Sequence, residues 1–140
     1  MKSGRPIVVA DPYAWLPKYG ENSVAVHSQG LDWAVEIEYD DASQRWSWKR
    51  ELRFNGVCCF YQASFPGPGM LDVDHDTTAD AKLGSLWEFP DSEAALAWRE
   101  HFGTTRTFKH YAIWFMSENS VIEIVAEGFA LAEPIRVQVS

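Results

Sequence analysis

Cysteine is nearly absent from this chain: Cys58 and Cys59, side by side, are the only two in 140 residues. Neighbouring Cα atoms lie about 3.8 Å apart, below the ~4.4 Å at which disulfide geometry usually begins. Two free thiols on opposite faces of a strand are therefore expected, as suits a reducing cytoplasm. Long hydrophobic runs are missing too. Within Met1 to Tyr19 the longest is Ile7-Val8-Val9-Ala10, halted by Asp11-Pro12, which is too short for the core of a signal peptide. No stretch nears the ~20 apolar residues of a membrane span, so no membrane partner is expected. Basic residues are scarce, with 12 Lys+Arg against 20 Asp+Glu and a net charge of −8. That argues against a nucleic-acid partner, which needs a basic footprint to displace counterions. There is no Gly-x-Ser-x-Gly elbow, no phosphate-cradling glycine loop and no His-Glu-x-x-His helix. No reaction is written in the sequence, and no cofactor is expected.

Aromatic residues, by contrast, are plentiful: 7 Trp, 8 Phe and 5 Tyr, within a hydrophobic fraction of 46%. An acidic disordered chain would be poor in both. The length fits one domain over 1–140, able to bury roughly two-thirds of its unfolded surface without metal or disulfide staples. Pro6, Pro12, Pro17, Gly20 and Gly30 punctuate residues 1–30, which read as an irregular segment with room for a brief strand at Ser23–His27.

Two hairpins follow from period-two alternation. Trp33 to Asp40 puts apolar residues at odd positions and Glu36, Glu38 and Asp40 at even ones, while Trp46, Trp48, Leu52 and Phe54 continue with the opposite parity. A loop at Asp41–Gln44 then pairs Tyr39 with Trp46 and Ile37 with Trp48 inside, and Glu36 with Lys49 outside. The acidic stripe is thus expected to be a compensated, solvated face rather than a binding site. Lys109 to Met116 and Val121 to Glu127 form the second hairpin, pairing Phe115 with Ile122, Ile113 with Ile124 and Tyr111 with Ala126 as core. Its other face collects His110, Ala112, Trp114, Met116, Glu123, Val125 and Glu127. Asn55-Gly56 signals a two-residue turn into a strand at Val57–Ala63. Leu86–Phe89 and Ile135–Val139 read as further strands. One helix is clear over Asp91–Phe102, with Asp91 or Ser92 as N-cap and Gly103 just past its end.

Three groups invite a chemical reading. Asp72, Asp74, Asp76 and Asp80 match the first, third, fifth and ninth positions of a calcium loop, but Thr77 stands at the glycine position and Leu83 at the bidentate Glu. A solvated acidic loop, with no metal, is the reading kept. His110 opposite Glu127 has the look of an oriented imidazole, yet no nucleophile accompanies it, and a surface His–Glu pair is commoner. Trp114 and Met116 beside Glu123 and Glu127 either lie beneath the helix or form an exposed aromatic anchor ringed by carboxylates, a sensible contact for a basic partner.

Gly84 to Ser92 leading into the helix, with Lys109 to Phe115 and Val121 to Ala126, resembles small acidic bacterial immunity proteins of contact-dependent and other polymorphic toxin systems. The likeness covers Arg45 to Phe129 in order of elements and transfers no binding motif. It implies a cytoplasmic α+β protein that blocks one toxin by binding it, and a basic nuclease toxin would suit an acidic surface.

These readings converge on an α+β fold, a twisted antiparallel β-sheet of about five to seven strands with one main α-helix packed on it. The expected function is non-enzymatic: an immunity protein, monomeric or weakly dimeric, binding a cognate toxin through His110, Trp114, Glu123 and Glu127, with Asp72, Asp74 and Asp76 as a second acidic contact. The alternative is a small-molecule enzyme or ligand-binding domain using His110 and a carboxylate. Residues 1–53 hold 7 basic and 8 acidic residues, and 54–140 hold 5 and 12. The excess therefore points to the second part of the chain.

Overall fold

Period-two alternation dominates the chain, and strands dominate the structure. The computed structural model describes residues 7–11, 16, 20–41, 46–64, 85–103, 105–115, 117 and 119–137. In chain order the elements are β1 (Ile7–Ala10), β2 (Ser23–Gln29), β3 (Asp32–Asp40), β4 (Ser47–Asn55), β5 (Cys59–Ser64), β6 (Leu86–Phe89), α1 (Glu93–His101), β7 (Lys109–Phe115), β8 (Ser120–Ala126), β9 (Gly128–Leu131) and β10 (Ile135–Val137).

The strands form two antiparallel sheets. The first runs β1-β6-β7-β8-β5, and the second runs β10-β4-β3-β2, with β9 also pairing β4. Strands take 62% of the described residues and the one short helix 9%. The expectation of an α+β fold, one sheet with a main helix on it, is therefore corrected to a mostly β architecture of two sheets. The physical reason lies in the apolar faces. Val35 and Ile37 of β3 and Leu52 and Phe54 of β4 share one core with Tyr111 and Ile113 of β7 and Ile122 and Ile124 of β8. Each sheet thus buries its apolar face against the other, which a nine-residue helix is too small to do. Aromatic pairs cross the interface: Trp33 stacks on Phe60 with centroids 4.7 Å apart, and Phe54 meets Tyr111 at 5.5 Å.

Asn55-Gly56 is the hinge of this arrangement. Sequence chemistry reads it as a hairpin turn, but here the chain leaves the second sheet at Asn55 and enters the first at Cys59, so β4 and β5 do not pair. The return crossing, from β8 to β9 through Glu127, runs beside it. Glu127 N donates to Asn55 O at 2.9 Å, and Cys58 N donates to Val125 O at 2.8 Å. Gly56 has φ of +61°, and a Cβ there would fall 2.5 Å from Glu127 Oε1. Only glycine fits the corner without strain.

Both hairpins keep the expected faces but shift register by two residues. Tyr39 faces Trp48 rather than Trp46, and Val35 faces Leu52. Ile113 faces Ile122 rather than Ile124, and Tyr111 faces Ile124. A shift of two preserves which side chains point inward, so the core was right where the partners were wrong. Residues 1–30, read as irregular with a brief strand at Ser23–His27, supply that strand as β2 and one more, β1. β1 pairs β6 and β2 pairs β3.

The helix matches expectation closely. Ser92 is its N-cap and its Oγ accepts from Ala95 N at 3.0 Å, while Gly103 follows with φ of +66°. Ala94, with Trp98 and Phe102 packed nearby, meets Phe108 and Val125 on the outer face of the first sheet. Arg99 ties it there by donating from Nε to Phe108 O at 2.8 Å.

Candidate functional site

The second hairpin brings His110, Trp114 and Glu123 to the outer face of the first sheet, as the alternation requires. Their exposure differs from what a contact surface needs. His110 is fully buried and Glu123 is 3% exposed. Ala112 lies directly between Trp87 on β6 and Glu123 on β8, with His110 and Trp114 two residues either side of it on β7. This face is thus an interior, and His110 and Glu123 are corrected from partner contacts to buried polar groups. Trp114 is half-buried, packed against Trp87, Phe89 and Ala112.

The register shift also removes the expected His110–Glu127 pair. His110 faces Val125, and its Nδ1 lies 2.9 Å from Ser92 Oγ. Ser92 therefore caps the helix with its oxygen and is left with a hydroxyl proton for the imidazole. Glu127 instead pairs with Arg106, whose guanidinium also sits 5.1 Å from the Phe102 ring centroid and 5.3 Å from that of Phe108. Arg106 gave no periodic signal, because it lies in the irregular link between the helix and β7.

Burial sets the protonation of this face. Desolvation lowers the His110 pKa from 6.5 to about 4 and raises that of Glu123 from 4.5 to about 7. Trp87 Nε1, His110 Nε2 and Glu123 Oε2 are buried without a hydrogen-bond partner among the described residues. A buried imidazole kept neutral on the same face as a carboxyl that ionises only near neutrality has acid–base chemistry in it, and His110 itself is fully buried. Cys58 and Cys59 are free thiols as expected, but both are half-buried against the Ala94, Phe108 and Val125 cluster rather than set on opposite faces of a strand, and burial pushes both thiols up. Asp72, Asp74, Asp76 and Met116 lie outside the described residues. Among the described residues no group of His, Cys, Asp and Glu has the arrangement of a metal site, and no helix is long and apolar enough to cross a membrane.

The outer face of the second sheet is different. Asp32, Glu36, Glu38 and Asp40 of β3 and Glu51 of β4 lie on it with His27, Lys49 and Arg53, and none of these side chains is buried. The stripe is partly compensated, as expected, though along diagonals of the shifted register at Glu36 and within one strand at Glu51. Glu36 takes Lys49 at 3.3 Å and His27 at 3.5 Å, and Glu51 takes Arg53 at 2.9 Å. At one end of this face a groove of about 600 Å³ opens over Ala34 and Ala130, with His27, Gln29, Asp32, Arg53 and Asn55 around it. Sequence reasoning missed it because each wall residue reads as an ordinary solvent-facing strand position. The available signal was Ala34, a small residue interrupting a charged row.

Comparison with known proteins adds no relative: no family model matches the chain, and neither a curated protein nor a solved structure shows significant similarity to it.

Proposed function

We propose that this chain is a non-enzymatic binding protein, an immunity protein that neutralises a cognate basic toxin in the cytoplasm by direct contact through the outer face of the second sheet. One observation carries the reading. That face is open, with five carboxylates against Lys49 and Arg53, and no described element packs on it. Such a field steers a basic partner and raises its association rate. The resemblance to small acidic immunity proteins supports the same partner class. The alternative, an enzyme or ligand-binding domain using His110 and a carboxylate, has less to support it, because Ser92 takes His110 Nδ1 and Arg106 pairs with Glu127.

The test is co-expression with the product of the adjacent reading frame, followed by calorimetric titration of the pair. Glu36→Lys together with Glu38→Lys is expected to weaken binding at least tenfold and to flatten its salt dependence. Unchanged affinity in that double variant refutes the surface, and no complex with the neighbouring product refutes the function.

A further inference from the structure

We infer that the groove over Ala34 and Ala130 is a binding site for a neutral polyhydroxylated ligand, a mono- or oligosaccharide. Its volume, about 600 Å³, falls in the roughly 300–1,000 Å³ range of small-molecule sites. The two alanines lie in one cross-strand row over β3, β4 and β9 with Arg53 between them, so the floor is low on either side of the Arg53 side chain and a ring can lie beside its guanidinium.

The walls select the chemistry. Arg53 brings one fixed positive charge and Asp32 one negative, so the site favours neither an anion nor a cation. What remains is dense hydrogen bonding of both kinds: the Asp32 carboxylate accepts, the Arg53 guanidinium donates, and the Gln29 and Asn55 amides do both. Four planar, two-pronged groups around one cavity suit vicinal hydroxyls, each of which donates and accepts. An ionic ligand would leave half of these groups without partners.

Several walls are also held in place from outside the groove. Arg53 spends its Nε on Glu51 at 2.9 Å and keeps its two terminal amino groups. His27 uses Nε2 on Glu36 and keeps Nδ1. Asn55 Oδ1 lies 3.0 Å from where a Cβ on Gly128 would be, so the glycine makes room for that side chain. The turn carrying Gln29 and Asp32 is pinned by Val57 N donating to Leu31 O at 2.8 Å. Groups fixed before binding lose little entropy on binding.

This site does not depend on the toxin reading, since Glu36 and Glu38 test that contact and Gln29 and Asp32 test this one. The experiment is an NMR titration of the full ¹⁵N-labelled chain with lactose, maltose, cellobiose and diacetylchitobiose, with sodium acetate and lysine as charged probes. At least one disaccharide is expected to shift the Ala34, Arg53, Asn55 and Ala130 amides together, with millimolar Kd and no salt dependence. Gln29→Ala and Asp32→Ala, both at exposed strand-end positions, are expected to weaken it at least tenfold while tryptophan fluorescence stays native. Absence of that set of shifts with all four sugars overturns the inference. So does saturation by acetate or lysine alone that is lost in salt.

Discussion

Replacing Glu123 by Gln is expected to stabilise the protein by an amount that grows as pH rises from 4.5 to 7 and then levels off. Glu123 stands on β8 opposite Ala112, 3% exposed, with Oε2 unpartnered among the described residues. Desolvation raises its pKa from 4.5 to about 7. The folded state therefore holds a proton between pH 4.5 and 7 that the unfolded state has already released. Stability from this group is fully present below pH 4.5 and is lost as pH rises through 7. At 1.36 kcal/mol per pH unit, the loss by pH 8 is about 3 kcal/mol. Gln has the shape of the protonated acid and never ionises. Urea unfolding should find E123Q up to about 3 kcal/mol more stable than the parent at pH 8, and equal to it near pH 4.5. A gain of the same size at both pH values would show that charge is not the cause, and no gain at pH 8 would refute the buried carboxylate.

His110 works in the opposite sense. Its pKa is lowered to about 4, so the unfolded chain binds a proton from pH 6.5 downward and the folded chain resists it. That contribution is complete above pH 6.5 and is lost as pH falls toward 4. Between 4.5 and 6.5 the two slopes cancel. The parent is expected to show a flat stability plateau there, falling below it through His110 and above it through Glu123. In E123Q the cancellation disappears and stability should slope downward from pH 6.5 to pH 4.

Other expectations follow from single contacts. Ser92→Ala removes the helix cap and strands His110 Nδ1 at once, and should cost about 2–3 kcal/mol in chemical denaturation. A loss below 0.5 kcal/mol, on the order of an exposed cap in a peptide, would deny the double role. Gly56→Ala places a side chain at φ +61° against Glu127, and should lower stability by at least about 1 kcal/mol. Phe54→Ala opens the core between the sheets beside Tyr111 and Phe129, with an expected cost of about 3–5 kcal/mol. A thermal melt within a degree or so of the parent would contradict that packing.

Much of the fold was legible because alternation fixes which side chains share a face. Val35, Ile37, Tyr111, Ile113, Ile122 and Ile124 were assigned to the core from parity and lie there. Parity does not fix register, since a slip of two residues leaves every face unchanged. Cross-strand charge matching favoured Glu36 opposite Lys49, whereas the sheet pairs Glu36 with Glu51 and lets Lys49 reach Glu36 diagonally. The number of sheets was not legible either. Asn-Gly is a turn by local chemistry, and only the partner strands decide whether the chain folds back or crosses to a second sheet. β9 pairs β4 from 73 residues away in register terms such as Asn55 with Gly128, and no local pattern announces it.

Solvation of the candidate-site carboxylates was not legible either. Formal charge assigned the acidic excess to residues 54–140, yet a formal charge displays itself only where the side chain is solvated. In that part of the chain Glu123 is buried and holds its proton until near neutrality, Glu127 is taken by Arg106, and Glu88 lies 3.5 Å from Lys109. In residues 1–53, where the balance is only −1, the strand period sorts charges onto one open face while Arg50 points inward and donates from Nε to Ala132 O at 2.9 Å. Discounting the inward Arg50 and the buried Glu123 moves the two balances only from −1 and −7 to −2 and −6. The order of the charge count stands, and what the fold changes is which carboxylates are displayed together on one sheet face. Among the described residues, the acidic face of the second sheet comes from the nearly neutral part of the sequence, and the contact proposed for a basic partner lies on Glu36 and Glu38, which are not buried, rather than on Glu123.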